Sequence, residues 1–205
     1  MKEDLIIYHG SQQIVEIPQY GKGKMYNDYG QGFYCTENPE LAKEWACPVK
    51  NDGYANKYIL HMGGMRVMHL TKGNFNILNW LAILLTNRRF DITSAMGSNA
   101  REYILANFTP DISDVDVMIG YRADDSYFSF ARAFINNQIS LKQLEYAMNL
   151  GELGIQYVLK SDKAFQTLKF AGYEVVDREV YHIKRKRRDE DVRRSYMSEL
   201  EHDVE

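Results

Sequence analysis

Leu5-Ile6-Ile7-Tyr8-His9-Gly10-Ser11 is the stretch around which the rest of the chain can be ordered. The run from Leu5 to Tyr8 has the length and continuity of a buried strand, and Gly10 ends it. Beyond it the chain reads as neither strand nor helix. Residues 16–31, EIPQYGKGKMYNDYGQ, mix glycine, tyrosine and charge around one proline without a clean period. That is a loop, and loops of this length in compact domains tend to be functional. Gly32 to Thr36 reads as a second short strand. Asn38-Pro39-Glu40 then opens a helix with an N-cap side chain, proline at the first position and an acid in the first turn. Leu41, Ala42, Trp45 and Ala46 share one face of it.

Further along, Tyr58 to His61 and Met65 to Leu70 read as a hairpin joined through Gly63-Gly64. Phe75 to Thr86 is expected as a helix capped by Asn74. Asn99 to Glu102 resembles a capping box for a helix that stops before Pro110. Val115 to Ile119 is expected as a strand, followed by helices from about Ser126 to Ile135 and from Ser140, which has Gln143 three residues on. Ile155 to Leu159 reads as a strand, Asp162 to Phe170 as a helix closed near Gly172, and Tyr173 to Ile183 as a final strand. Strands and helices are interspersed without regular βαβ alternation, so the class is α+β. From Lys184 the sequence runs KRKRR and then stays charged or polar to Glu205, a composition that buries little. The expected division is therefore a folded domain over 1–183 and a charged tail or solvated helix over 184–205.

Composition narrows the function. A chain of 205 residues with 45% hydrophobic content builds one well-buried core. A net charge of -3 argues against a generally basic nucleic-acid coat. Two cysteines, Cys35 and Cys47, fit a reducing cytoplasm rather than a disulfide scaffold. The start, MKEDLIIYHG, does not read as a signal peptide, and the longest apolar stretch, Ile77 to Leu85, is too short to span a bilayer. A soluble cytoplasmic protein without a membrane partner is expected. His61 and His69 have no metal-site spacing and the cysteines add no ligand pair, so no metal is expected.

Three short patterns carry chemistry: Tyr8-His9-Gly10-Ser11; Gly32-Phe33-Tyr34-Cys35-Thr36 with Ala42 and Trp45 behind it; and Gly154-Ile155-Gln156-Tyr157-Val158. Each alone has a structural explanation. A histidine at a strand end is commonly a satisfied structural residue, Tyr34 and Trp45 can be core, and Gln156 can be an edge-strand polar residue. Together, in this order, they resemble the diphtheria-toxin-like branch of the ADP-ribosyltransferases, which includes the poly(ADP-ribose) polymerases. Trp45 stands eleven residues after Tyr34, the offset of that branch's second aromatic. The chain from Leu5 to about Ile183 also looks like an uncharacterised bacterial family. Its shared segments here are Tyr8 to Ser11, Asp28-Tyr29-Gly30 to Thr36, Ala42 to Ala46, Ala123-Asp124-Asp125 and the Gln156 strand.

The resemblance implies a split antiparallel β-sheet core with surrounding helices, and NAD as the ADP-ribose donor. It implies that His9 hydrogen-bonds a ribose hydroxyl, that Gly10 receives the nicotinamide amide on its backbone, and that Tyr34 and Trp45 enclose the ring. Ser11 and Thr36 complete the implied cofactor-binding set. Gln156 would bind the 2′-hydroxyl of the nicotinamide ribose, where the family more often has glutamate; His9, Tyr34 and Gln156 form the implied catalytic set. Ala42 stands where the polymerases usually carry serine. Without the glutamate, transfer of single ADP-ribose units or no activity is implied, rather than polymer growth. Asp124 or Asp125 could supply the missing acid, or Asp125 could cap a helix; Arg122 and Asn87-Arg88 are candidates for the diphosphate. The expected function is thus an NAD-dependent mono-ADP-ribosyltransferase, a bacterial toxin or defence effector with a protein or nucleic-acid acceptor and a possible antitoxin. The alternatives are an NAD glycohydrolase and a silent module that binds NAD or ADP-ribose. A nucleic-acid-binding module using KRKRR is disfavoured by the overall acidity.

Overall fold

The first strand is longer than its apolar run. In the computed structural model, which describes residues 4–47, 51–123, 125–150 and 154–202, β1 spans Asp4–Ser11 with Ile7 fully buried. The remaining strands are β2 (Phe33–Thr36), β3 (Gly53–His61), β4 (Val67–His69), β5 (Val117–Tyr121), β6 (Ile155–Leu159) and β7 (Leu168–Val176). The helices are α1 (Pro39–Ala46), α2 (Ile77–Asn87), α3 (Ala95–Phe108), α4 (Asp125–Ile135), α5 (Leu141–Asn149), α6 (Asp162–Gln166) and α7 (Arg178–His202). The strands form one seven-stranded sheet in the order β4-β5-β6-β2-β1-β3-β7. Helices and sheet make a mixed α+β architecture, but the sheet is not wholly antiparallel: β4 and β5 run parallel.

The sheet divides two cores because successive strand residues face opposite sides. Met118 and Val158 face Trp80, Leu81 and Leu84 of α2 together with Tyr127 of α4 and Leu144 of α5. Val117, Ile119, Tyr157 and Leu159 alternate with them and pack with Ile7, Cys35, Tyr58 and Leu60 on the other side. Gln156, two residues before Val158, belongs to the helical side. Helix α1 packs directly on β1. A Cβ at Gly10 would lie 1.9 Å from the Ala42 carbonyl oxygen, so only glycine admits this approach. Beside it, β1 and β2 pair at a single register position, Tyr8↔Thr36.

Five expectations are corrected. The hairpin through Gly63-Gly64 does not form: β3 pairs with β1 and β7, while β4 joins β5. Asp116 draws the chain there, accepting the Arg66 N–H at 2.9 Å on its carboxylate while its own N–H donates to the Arg66 carbonyl. Helix α2 starts at Ile77 behind Asn76, whose capping box uses Asn79, and α3 starts at Ala95 behind Ser94. The segment 162–170 is a helix only to Gln166, since Leu168 and Phe170 belong to β7 and pack into the second core. The segment 173–183 is strand only to Val176. Asp177 then accepts the Glu179 N–H at 2.8 Å and α7 begins.

Helix α7 crosses the division read at 183/184. Its apolar residues are few, yet Val192 and Tyr196 are 1% and 6% exposed in the main core. Arg188 pairs with the buried Glu44 of α1 at 2.7 Å. Lys184 pairs with Glu40 of α1, and other charges pair along the helix, as in Lys186–Glu190 and Arg193–Asp189. Among the described residues no helix is long and apolar enough to cross a membrane.

Candidate active site

Where β1 and β2 part beyond Tyr8, the His9 side chain bridges them. Its Nδ1 lies 2.7 Å from the Tyr34 carbonyl oxygen. That oxygen can only accept, so Nδ1 carries the proton and Nε2 of the neutral ring is an acceptor. Burial holds the His9 pKa below the usual histidine value, with the bond to Tyr34 partly opposing it. The neutral form thus prevails at neutral pH. One expected result is a stability slope. As pH falls below 6.5, the unfolded chain takes up a proton that the folded ring resists, so stability should fall until pH passes the lowered folded value. Denaturant titrations of wild type and His9→Gln between pH 7 and 5 should differ by this slope. Equal slopes would show that the folded ring titrates normally.

The second half of the long loop is bolted down beside this point. Tyr29 is buried, and its hydroxyl donates to the Tyr121 carbonyl at 2.7 Å. The Tyr34 hydroxyl donates to the Gly30 carbonyl at 2.5 Å and accepts the Tyr29 N–H at 3.0 Å. Lys160 donates to the carbonyls of Tyr29 and Gln31, both at 2.6 Å. These bonds set the Tyr34 ring and deliver Asp28, which is 4% exposed. Asp28 Oδ1 accepts from Arg88 at 2.8 Å; Oδ2 accepts the Ala123 N–H at 2.9 Å and Gln156 Nε2 at 3.2 Å. Burial pushes its carboxyl above the usual range, while the Ala123 N–H, Arg88, Gln156 and Arg122 pull it back. Gln156 Nε2 also donates to the Tyr121 carbonyl at 3.1 Å.

Together these residues line a cavity of about 270 Å³ that holds His9, Gly10, Asn27, Asp28, Tyr34, Trp45, Arg88, Arg122, Ala123, Gln156 and Arg185. Two larger cavities, of about 530 and 510 Å³, lie around Phe130 and Tyr196 and around Arg66 and Asp116. The smaller one stands out chemically, with a neutral histidine acceptor, a buried carboxylate and three arginines at one place. Its volume lies just under the roughly 300–1,000 Å³ of whole small-molecule sites, so it suits one end of a larger ligand. Among the described lining residues, Arg88, Arg122 and Arg185 bring three guanidinium groups to one carboxylate, Asp28.

Of the residues singled out in the sequence, His9, Gly10, Tyr34, Trp45 and Gln156 converge here. Gly10 has a second reason to be glycine, the close approach of α1. Trp45 is covered by the Arg122 guanidinium, 4.4 Å from its ring centroid, and its indole N–H has no hydrogen-bond partner among the described residues. Ser11 and Thr36 are placed elsewhere. The Ser11 hydroxyl joins a network around the fully buried Asn56, which donates to Ser11 Oγ and to the His9 and Gln13 carbonyls and accepts the Val15 N–H. Thr36 Oγ1 accepts the Asn38 N–H at 3.1 Å, shaping the turn into α1. Asp124 and the side chain of Asp125 lie outside the described residues. The KRKRR run is dispersed: Lys184 pairs with Glu40, Arg188 with Glu44, and Arg185 lines the cavity.

Of the lining residues, Asn27, Asp28 and Arg185 are given no site role by the sequence motifs, although Asp28 stands in one of the shared segments. Residues 5–170 match the family model for a protein of unknown function, DUF3990. No curated protein and no solved structure matches the chain.

Proposed function

We propose that this chain, which belongs to the DUF3990 family, is an NAD-dependent mono-ADP-ribosyltransferase with its active site in the His9 cavity. The observation that carries the reading is convergence: His9, Gly10, Tyr34, Trp45 and Gln156, from four separate elements, line one small polar cavity. The single pairing position between β1 and β2 fits the split sheet that the ADP-ribosyltransferase resemblance implies.

The chemistry asks for few groups. Cleaving the bond between ribose C1′ and the nicotinamide nitrogen sends the bonding pair to nicotinamide and leaves an oxocarbenium-like ribose. The acceptor then bonds to C1′ and loses its proton to solvent. In this reading Tyr34 stacks on the nicotinamide ring, His9 Nε2 accepts from a ribose hydroxyl, and the Gln156 oxygen accepts from the 2′-hydroxyl. Arg88, Arg122 and Arg185 offer donors to the diphosphate. In this reading the cavity, at about 270 Å³, takes the nicotinamide ribose and leaves the adenosine outside.

The test is incubation with NAD radiolabelled in the adenylate phosphate and whole-cell lysate, followed by separate nuclease and protease digestion. Label released by only one of the two identifies a nucleic-acid or a protein acceptor. Release of free ADP-ribose alone identifies a glycohydrolase. Unconsumed NAD identifies a silent binding module and rejects the transferase. A role as a toxin or defence effector in the cytoplasm is implied by the resemblance and is tested by growth on induced expression.

A further inference from the structure

The carboxylate lining the cavity comes from a loop rather than from any of the three motifs, and it touches Gln156 although 128 residues separate them. Both acceptors of Gln156 Nε2, the Asp28 carboxylate and the Tyr121 carbonyl, are fixed from outside β6. Tyr121 O is held in turn by the Tyr29 hydroxyl and the Trp80 indole N–H. The amide therefore has one favourable orientation. Flipping it would set the Gln156 oxygen against a carboxylate about 3.2 Å away and against a carbonyl. Nor is anchoring the loop enough to explain a buried acid, because Tyr29, Tyr34 and Lys160 already do that. A buried charge pair is an inefficient way to hold a loop when apolar groups serve as well.

We propose that Asp28 is a positioning residue of the transfer reaction, orienting the Gln156 amide and supplying through it the negative charge that glutamine lacks. This rests on the reading of the cavity as an NAD site. A charge-assisted bond from an amide N–H to a carboxylate draws electron density toward the amide oxygen and makes it a stronger acceptor. That gain matters most when the ribose becomes cationic and its 2′-hydroxyl becomes a better donor, so it favours the transition state over bound NAD. Burial favours the neutral acid, while the Ala123 N–H on Oδ2 and Arg88 on Oδ1 favour the carboxylate that the proposed role requires. Asp28 itself neither gains nor loses a proton. The C1′–N bond breaks, the acceptor–C1′ bond forms, and the acceptor's proton goes to solvent.

The test is a charge-relocation series measured for both kcat and NAD affinity. Asp28→Asn keeps the size and an acceptor, but it presents an N–H₂ that either opposes Gln156 Nε2 or turns the amide over. It should lower kcat about a hundredfold, with NAD affinity within about threefold of wild type. Adding Gln156→Glu puts the charge back one residue away, so D28N/Q156E should exceed D28N at least tenfold. Gln156→Glu alone places two carboxylates in contact and should fall below the double variant. A purely structural Asp28 predicts the reverse, with no rescue and with losses that track thermal stability. Asp28→Ser, which keeps an acceptor for the Ala123 N–H without charge, must show the same kcat loss and serves where Asp28→Asn does not fold. Wild-type kcat in a folded Asp28 variant, or a double variant no better than D28N, overturns the proposal. A wild-type protein that neither binds nor consumes NAD overturns the site reading itself, a different result.

Discussion

Gln156→Ala is expected to lower NAD turnover by roughly a hundredfold or more, the scale of losing one preorganised transition-state contact. Gln156 is 3% exposed and its amide is fixed by Asp28 and the Tyr121 carbonyl, so no other side chain takes over the vacated position. His9→Ala should do comparable damage, since it removes both the Nε2 acceptor and the bridge from β1 to the Tyr34 carbonyl. The two differ in one respect. Losing the bridge should also loosen the junction of β1 and β2, so His9→Ala should raise KM as well as lower kcat, while Gln156→Ala acts mainly on kcat. Both variants must first show a native unfolding transition. Turnover that survives Gln156→Ala unchanged would move the chemistry to another acid, and Asp28 would be the first to test.

Truncation after Arg188 is expected to destabilise the fold severely, despite the polar look of the segment it removes. The cut deletes Val192 and Tyr196, both buried, and bares the ring of Phe130, whose centroid lies 4.5 Å from that of Tyr196. Burying a large apolar side chain is worth about 1.5–3 kcal/mol, so the two account for roughly 3–6 kcal/mol. Domains of this kind have a total stability of about 5–15 kcal/mol. Calorimetric scans should show a fall in Tm of about 10 °C or more, or no cooperative transition. A truncated protein that melts with the full-length chain would mean that the last turns of α7 add nothing to the core.

How much of the fold is legible in the sequence depends on the kind of signal. The Leu5–Tyr8 strand, the Asn38-Pro39-Glu40 helix start, the Ser140–Gln143 capping box and the Ile155–Leu159 strand rest on local chemistry, and each reappears in the structure. The hairpin expected through Gly63-Gly64 fails because a turn signal says that the chain bends, not what it pairs with. Asp116, about fifty residues away, decides the pairing. The end of the last strand is hidden because Val175, Val176, Val180, Tyr181 and Ile183 keep apolar residues coming across the boundary. Asp177, a good cap, is the signal that marks it.

The candidate site divides in the same way. His9, Tyr34 and Gln156 sit in recognisable short motifs on strands, so their convergence could be anticipated. Asp28 sits in a loop without a period, and nothing in the spacing of residues 28 and 156 announces a contact. Arg185 is hidden inside a basic run, since composition sees five like charges where helix α7 sends Lys184, Arg185 and Arg188 to three different places.

The proposed function stands or falls on whether the His9 cavity binds the nicotinamide end of NAD. Titration calorimetry of the wild-type chain with NAD, paired with thermal unfolding, decides it, with Tyr34→Ala as the control that removes the stacking ring. Wild type should give saturable heat and a stabilisation of about 2.7 kcal/mol at NAD a hundredfold above its Kd, and Tyr34→Ala should lose most of both. No heat and no stabilisation at millimolar NAD, or equal binding by wild type and Tyr34→Ala, would contradict an NAD site in this cavity.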